Sequence, residues 1–288
     1  MRKIAVINQK GGSGKTTTVV NTGAALARYG KQVLLVDLDP QAHTTIHLGY
    51  NPPELNKSVY DILVNETSAD EVLLKTQRKN LSLLPAKIEL ASAEIELVNT
   101  IGREIILRDA LKKIEDRFDY VLIDCPPSLG LLTLNALTSA REVFIPIQAE
   151  FFALEGLTKL LQTVRIVSER INPGTRIAGV ILTMFDQRKN ICKEVAEKVE
   201  MHFRNKLFRT RIRENVKLAE APSFGQTIFE FSSSAHGAED YLRLAREIIR
   251  GEKNEEKRTR TGPSKLDKVN RQREASKGKG NKKIRSKR

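Results

Sequence analysis

The chain has few cysteines and no long apolar run. Only two cysteines, Cys125 and Cys192, occur in its 288 residues, so a disulfide framework is excluded and a reducing compartment such as the cytoplasm is favoured. Because no run of eighteen apolar residues is present, we expect no transmembrane helix. The apolar part of the N-terminus is too short, and lacks the small-residue cleavage site, for a secretory signal. An apolar fraction of 40% is ample for a buried core.

Positive charge is concentrated near the C-terminus. Residues 252–288 contain 15 Lys/Arg and 5 Asp/Glu, so they carry +10 of the formal net charge of +14 and leave +4 for residues 1–251. These residues have too few apolar side chains to form a core, which predicts a disordered basic tail. Such a tail either solubilises the protein or binds a polyanion such as nucleic acid. It lacks the apolar face of an amphipathic membrane helix.

Residues 1–251 alternate between apolar strands and helices. A strand at 3–8, a glycine-rich loop, a helix from Thr16 to about Tyr29 and a strand from Gln32 make one right-handed βαβ unit. Further predicted elements are strands from 81, 119, 143 and 176, a short strand within 207–212, and helices at about 89–116, 153–171, 189–203 and 235–250. This order predicts an α/β fold: a doubly wound, mostly parallel sheet with helices on both faces.

The loop between the first strand and helix is a candidate phosphate site. Glycines let successive backbone N–H groups turn toward a phosphate, and the helix N-terminus adds a positive dipole end. Lys15 is placed to reach the β- and γ-phosphates, and the Thr16 hydroxyl to bind Mg²⁺. The predicted nucleotide-binding residues of this loop are Lys10, Gly11, Gly12, Ser13, Gly14, Lys15, Thr16 and Thr17. A strict Walker A pattern has glycine at position 9, where this chain has Gln9, and Lys10 follows.

Three aspartates end predicted strands at the same edge of the sheet. Asp124 ends YVLID, where a Walker B carboxylate belongs, and its position predicts a Mg²⁺ site together with Thr16. Asp37 and Asp39 end the strand after the loop helix. Asp39 is a candidate for orienting the attacking water and Asp37 for supporting the metal; the alternative for either is a helix cap.

Two histidines, His43 and His47, are four residues apart. On a helix they would share a face and could in principle share a metal. Because no third ligand accompanies them, we expect both to occupy surface positions of a helix.

Several motifs together resemble the deviant-Walker ParA/MinD family of P-loop ATPases. They are KGGSGKTT at 10–17, VLLVDLDPQ at 33–41, DYVLIDCPP at 119–127, LTMFDQR at 182–188 and ENVKLAEAPSFGQ at 214–226. The resemblance covers about residues 1–250, and DLDPQ and NVKLAEAPSFG are typical of its ParA/Soj branch. The loop begins only ten residues into the chain, so we expect the short chromosomal type, without an N-terminal helix-turn-helix domain.

The resemblance implies a role for each matching residue. Lys10 would reach across an ATP-sandwich homodimer to the partner's nucleotide, and Lys15 would hold the phosphates. Thr16 and Asp124 would form the magnesium site, and Asp39 would act on the hydrolytic water. Asn215 would lie beside the base or ribose. The family often has proline two residues before this asparagine, where this chain has Arg213.

The resemblance further implies DNA as a partner. Arg188 and Lys217 match the family's DNA-binding positions, and a ParB-type protein would stimulate hydrolysis and release the protein from DNA. Contacts of Lys and Arg to phosphates carry no sequence preference and weaken with salt. The implied function is chromosome or plasmid segregation in the cytoplasm, on the nucleoid.

Three other functions remain open. A MinD-like positioning ATPase would bind membranes through a C-terminal amphipathic helix. A reductase similar to the nitrogenase iron protein would need two cysteines per subunit for a shared iron–sulfur cluster. A binding module would hold nucleotide without hydrolysing it, although the presence of both Lys10 and Asp39 argues for turnover.

Overall fold

The core of the protein is one seven-stranded sheet. The computed structural model describes residues 1–150 and 157–261. The strands, in chain order, are β1 (Arg2–Val6), β2 (Val33–Asp37), β3 (Leu74–Lys75), β4 (Leu81–Leu84), β5 (Tyr120–Asp124), β6 (Glu142–Gln148) and β7 (Arg176–Thr183). They lie in the order β3-β4-β2-β5-β1-β6-β7. All neighbours are parallel except β3, which pairs antiparallel with β4.

Helices connect the strands. The α-helices are α1 (Lys15–Arg28), α2 (His43–His47), α3 (Val59–Val64), α4 (Ala69–Val72), α5 (Ala93–Glu96), α6 (Ile106–Lys112), α7 (Leu131–Ser139), α8 (Leu157–Arg170), α9 (Asn190–Phe203), α10 (Val216–Glu220), α11 (Ile228–Phe231) and α12 (His236–Thr261). Every residue of β2 and β5 is buried, as expected of central parallel strands covered on both faces. The doubly wound α/β fold predicted from the sequence is therefore confirmed.

The register of the central strands gathers the predicted site. Val6 of β1 and Asp37 of β2 are both paired with Asp124 of β5. Because these strands are parallel, their carboxyl ends share one edge of the sheet, and the loops that follow them start there. The glycine-rich loop and both strand-end aspartates thus lie at one place.

Two predicted elements differ from the structure. Residues 89–116 do not form one long helix: α5, α6 and short 3₁₀ turns divide them, with Gly102 at φ +75° between the two helices. A glycine in this conformation interrupts helix propagation. Residues 207–212 do not form a regular strand; Leu207 and Arg213 make isolated parallel bridges to Val180 and Phe185.

The predicted domain boundary at 251 lies within α12. The chain forms two compact units, Met1–Ala245 and Arg246–Arg288. The first unit holds the whole sheet. In the second, residues 246–261 are helical, and α12 ends at Thr261. The predicted disordered tail falls mostly in 262–288, outside the described residues, and the domain boundary stays a prediction.

Candidate functional site

The glycine-rich loop is an open, preformed cradle. Gly12 and Gly14 have φ values of +70° and +84°, which side-chain-bearing residues rarely adopt. A Cβ at Gly11 or Gly12 would meet no atom of the residues that the structure describes within 4 Å, so space remains above the backbone. The Thr183 hydroxyl at the end of β7 donates to the Ser13 carbonyl at 2.9 Å and fixes the loop against the sheet. The buried Ser13 hydroxyl has no hydrogen-bond partner within the described part of the chain.

Helix α1 begins directly at Lys15 and points its N-terminus at the cradle. Gly14 precedes it, no side chain caps the first turn, and that turn has no acidic residue. Unpaired N–H groups of such a turn bind anions, and the helix dipole favours negative charge. Lys15 is buried, with 8% of its surface exposed, whereas Thr16 and Thr17 are half-buried. The arrangement therefore fits the phosphates of a nucleotide.

Asp124 is prepared for a cation. One of its carboxylate oxygens accepts hydrogen bonds from the Thr16 hydroxyl at 2.7 Å and the Thr44 hydroxyl at 2.8 Å. The other oxygen is buried and has no hydrogen-bond partner among residues 1–150 and 157–261. Burial raises the pKa of Asp124 to about 6, because the desolvation of its charge outweighs the opposing effects of the two hydroxyl hydrogen bonds and of the positive charge of Lys15. An orphaned carboxylate oxygen beside a threonine hydroxyl at a phosphate cradle is a donor set suited to Mg²⁺.

This site supplies few protein ligands. Among residues 1–150 and 157–261, no group of three His, Cys, Asp or Glu side chains could hold a metal. Mg²⁺ usually takes one or two protein oxygens and completes its octahedron with water and substrate phosphates. The geometry therefore suits a metal that binds together with nucleotide.

Asp37 holds the loop that follows β2. One of its carboxylate oxygens accepts from the Thr45 backbone N–H and hydroxyl, at 2.9 and 2.8 Å, and the other from the Asp39 N–H at 3.2 Å. Burial, together with the charge of Asp124, raises the pKa of Asp37 to about 8. Its visible role is to anchor α2 to the sheet. The metal role of Asp37 stays a prediction.

Asp39 and Lys10 flank the cradle. Asp39 is buried, accepts from the Gln41 N–H at 3.0 Å, and lies close enough for its charge to raise the pKa of Asp124. The Lys10 ammonium instead forms an exposed ion pair with Glu150 at 2.7 Å. Lys10 is thus held outside its own phosphate cradle.

Asn215 lies directly before α10 and, together with its neighbours, lines a cavity of about 660 Å³. Its side-chain oxygen accepts from the Lys217 N–H at 2.8 Å and caps α10. Arg213, which stands where the family often has proline, is fixed by the buried Asp240: its N–H donates at 3.0 Å and its guanidinium pairs at 2.6 Å. An ion pair therefore orders the backbone before Asn215.

Arg78 joins the segment that follows α2 to the segment that follows α10, and sequence patterns did not reveal this role. Arg78 donates to the Leu48 carbonyl after α2 at 2.8 Å and to the Gly225 carbonyl after α10 at 2.7 Å, and it pairs with Glu230 at 2.8 Å. Gly49 and Gly225 approach so closely that a Cβ on Gly225 would lie 2.5 Å from the Gly49 Cα. A lone arginine in a loop carries no sequence signal for such a role.

The expectation that both histidines are surface residues was wrong for His47. His43 is exposed, but His47 is 1% exposed, and its Nε2 has no partner among the described residues. Burial and the nearby charge of Arg78 lower the pKa of His47 to about 4. His47 is therefore neutral and buried close to Arg78.

The two predicted DNA-binding residues lie on the surface, each beside an acid. The Arg188 guanidinium pairs with Asp186 at 2.8 Å and lowers the pKa of that carboxyl to about 2. Lys217 pairs with Glu220 at 2.8 Å. Both cations are exposed, so the structure leaves them reachable but already paired.

Comparison with known proteins places the chain in a family. A model of the AAA domain family matches residues 1–177. The sporulation initiation inhibitor protein Soj of Bacillus subtilis is 51% identical over 245 residues, covering 85% of this chain and 97% of Soj. The chromosome partitioning protein ParA of Caulobacter vibrioides is 45% identical over 256 residues, covering 88% and 96%.

A solved structure agrees. The structure named cobyrinic acid a,c-diamide synthase from Mycobacterium smegmatis, with bound ATP analog and magnesium, is 38% identical, with a TM-score of 0.78 over 88% of this chain and 96% of that one. The cradle, the strand-end aspartates and these similarities lead to one conclusion. The chain belongs to the ParA/Soj family of P-loop ATPases.

Proposed function

We propose that this protein is a Mg²⁺-dependent ATPase that forms an ATP-sandwich dimer, binds DNA without sequence preference and segregates chromosomes or plasmids with a ParB-type partner. ATP hydrolysis with ATP and Mg²⁺ as cofactors follows from its family. The observation that carries the chemistry is the orphaned Asp124 oxygen beside Thr16 at the mouth of the cradle.

Each residue of the cradle has a task in hydrolysis. The N–H groups of the loop and the α1 N-terminus bind phosphate oxygens, and Lys15 adds a buried positive charge. Thr16 and Asp124 would hold Mg²⁺, which neutralises charge on the phosphates when it is bound. Asp39, anchored through the Asp37 loop, orients a water toward the γ-phosphate.

Dimerisation would complete the site. In the single chain Lys10 pairs with Glu150, and both side chains are substantially exposed. An exposed pair of this kind contributes at most about 1 kcal/mol, so exchange of Glu150 for a phosphate of the partner's nucleotide is favourable. Two subunits then present two basic surfaces at high effective concentration, so that ATP controls DNA affinity through assembly. We expect the protein to lie on the nucleoid in the cytoplasm.

The central experiment combines gel filtration with DNA binding in the apo, ADP and ATP states, for wild type and Asp39→Ala. We expect wild type to dimerise and to bind duplex DNA in the ATP–Mg²⁺ state but not in the apo or ADP state, because only the triphosphate links two subunits. Asp39→Ala keeps the cradle but loses the residue that orients water, so it should remain an ATP-bound dimer on DNA with little hydrolysis.

The matched control is Asp70→Ala, because Asp70 is an exposed aspartate of α4 that pairs with Arg117. It should behave as wild type. A wild-type protein that stays monomeric and ignores DNA with ATP would refute the proposal, whereas normal hydrolysis by Asp39→Ala would refute only the assigned role of Asp39.

The MinD-like alternative predicts membrane binding. Within the described residues, no helix has the length and apolar character needed to span a bilayer. An interfacial helix is tested directly by co-sedimentation with anionic liposomes in ATP. Pelleting with liposomes, in place of DNA binding, would favour the alternative.

A further inference from the structure

We infer that duplex DNA also contacts a second basic surface, the edge segment of residues 204–213, which lies along β7; this rests on the proposed DNA-binding function. The segment reads RNKLFRTRIR and has five basic residues and no acidic one. Neither Arg188 nor Lys217 belongs to it. It covers the last strand of the sheet and carries its charge outward.

Backbone hydrogen bonds place the segment. The Phe208 N–H donates to the Val180 carbonyl at 2.9 Å, and the Ile212 N–H to the Leu182 carbonyl at 2.8 Å. Phe208 packs edge-on against Phe144, with ring centroids 5.2 Å apart, and Ile212 is buried. Because side chains of an extended segment alternate in direction, Arg209 and Arg211 are directed away from the core.

The outward side chains form an arginine-lined groove. Arg209, Arg211 and Arg213 of the segment face Arg243 of α12 across a cavity of about 380 Å³. The Arg211 guanidinium lies over the Phe185 ring, 4.5 Å from its centroid, which orders the side chain without neutralising it. Arg213 and Arg243 are paired with acids of α12, so Arg211, rather than either of them, offers its charge at this groove.

The state of the charges favours this surface as a phosphate contact. Arg188 and Lys217 are each paired with an acidic side chain, whose negative charge offsets theirs. Within residues 1–150 and 157–261, Lys206 and Arg211 form no ion pair, and both are exposed. A cation without a neighbouring counter-charge attracts a phosphate more strongly than one whose charge an adjacent acid offsets. An exposed row of cations is suited to contacts with the phosphates of a nucleic-acid backbone, and such contacts do not depend on base sequence.

The test compares two variants of the full chain that each remove two charges. K206Q/R211Q changes the edge segment and retains most of each side chain. K75Q/K79Q changes two exposed lysines at and just after β3, at the opposite edge of the same sheet. Affinity for a duplex of mixed sequence is measured with ATP and Mg²⁺ across a salt series, with circular dichroism as a check on folding.

We expect K206Q/R211Q to bind about tenfold or more weakly at 0.1 M salt, and its plot of log affinity against log salt to be shallower by about 1 to 2. K75Q/K79Q should match wild type. If K206Q/R211Q is folded and keeps the wild-type affinity and slope, or if K75Q/K79Q loses as much, the inference is overturned and the proposed function stands. If wild type itself does not bind duplex with ATP, the proposed function fails first.

Discussion

Charged side chains are buried at the carboxyl edge of the central strands, whereas they are exposed around β7 at the outer edge of the sheet. At the central strands, Lys15, Asp37 and Asp124 are buried, and backbone or hydroxyl groups fix the two carboxylates. Around β7, Arg188 is exposed and paired with a neighbouring acid. Buried charges are costly unless specific partners hold them, whereas exposed pairs are worth little and exchange readily. The central edge is therefore suited to a single ligand held in one geometry. The surface around β7 is suited to a polyanion that can bind in many orientations.

The largest effect should follow from the buried lysine of the cradle. Lys15→Ala removes a charge-assisted phosphate contact in a desolvated site, so we expect ATP affinity to fall at least about 100-fold. The matched control is Lys10→Ala, which removes the half-buried lysine at the start of the same glycine-rich segment. It should bind ATP nearly as wild type but fail to dimerise.

Isothermal titration calorimetry and gel filtration separate the two results. Equal losses of ATP affinity in Lys15→Ala and Lys10→Ala would show that burial of the lysine does not determine its contribution to nucleotide binding. The contrast between buried and exposed charges would then fail for this site.

A pH dependence should follow from the buried His47. Its folded pKa of about 4 lies below the ordinary value of 6.5, so the unfolded chain binds a proton more readily than the folded one. The contribution of neutral His47 to the free energy of unfolding is therefore complete above pH 6.5, and it is lost as the pH falls toward 4. Between pH 7 and pH 5 this histidine should cost about 2 kcal/mol of unfolding free energy.

Urea unfolding at both pH values measures the cost. His47→Gln should lessen the pH-dependent loss, while the exposed His43→Gln should retain it in full. The same loss in both variants would assign the effect to other groups.

The smallest effect on stability, and a moderate one on DNA binding, should come from Arg188, whose exposed guanidinium pairs with Asp186. Arg188→Ala should change the unfolding free energy by less than about 0.5 kcal/mol and lower DNA affinity about tenfold. Asp186→Asn frees the guanidinium and should raise DNA affinity. Fluorescence anisotropy with labelled duplex tests both; weaker binding by Asp186→Asn would show that the acid helps to position Arg188.

Local patterns were sufficient for much of the site. The strand–loop–helix around residues 10–17 and the apolar run before Asp124 are contiguous in sequence, and parallel strands bring their ends to one edge whatever surrounds them. The antiparallel strand β3 and the division of 89–116 were missed, since a two-residue strand has no periodicity and isolated turns depend on packing. Arg78 was missed because its three acceptors lie far from it along the chain.

The sequence by itself determined the fold class, the family and the phosphate cradle, because each depends on residue types at short, regular spacing. Only the tertiary structure decided the partners of the charges. It paired Lys10 with Glu150, fixed Arg213 to Asp240, buried His47 and aligned residues 204–213 along β7. The free energy of a charge depends on its burial and on what lies within a few ångströms, and chain folding sets both.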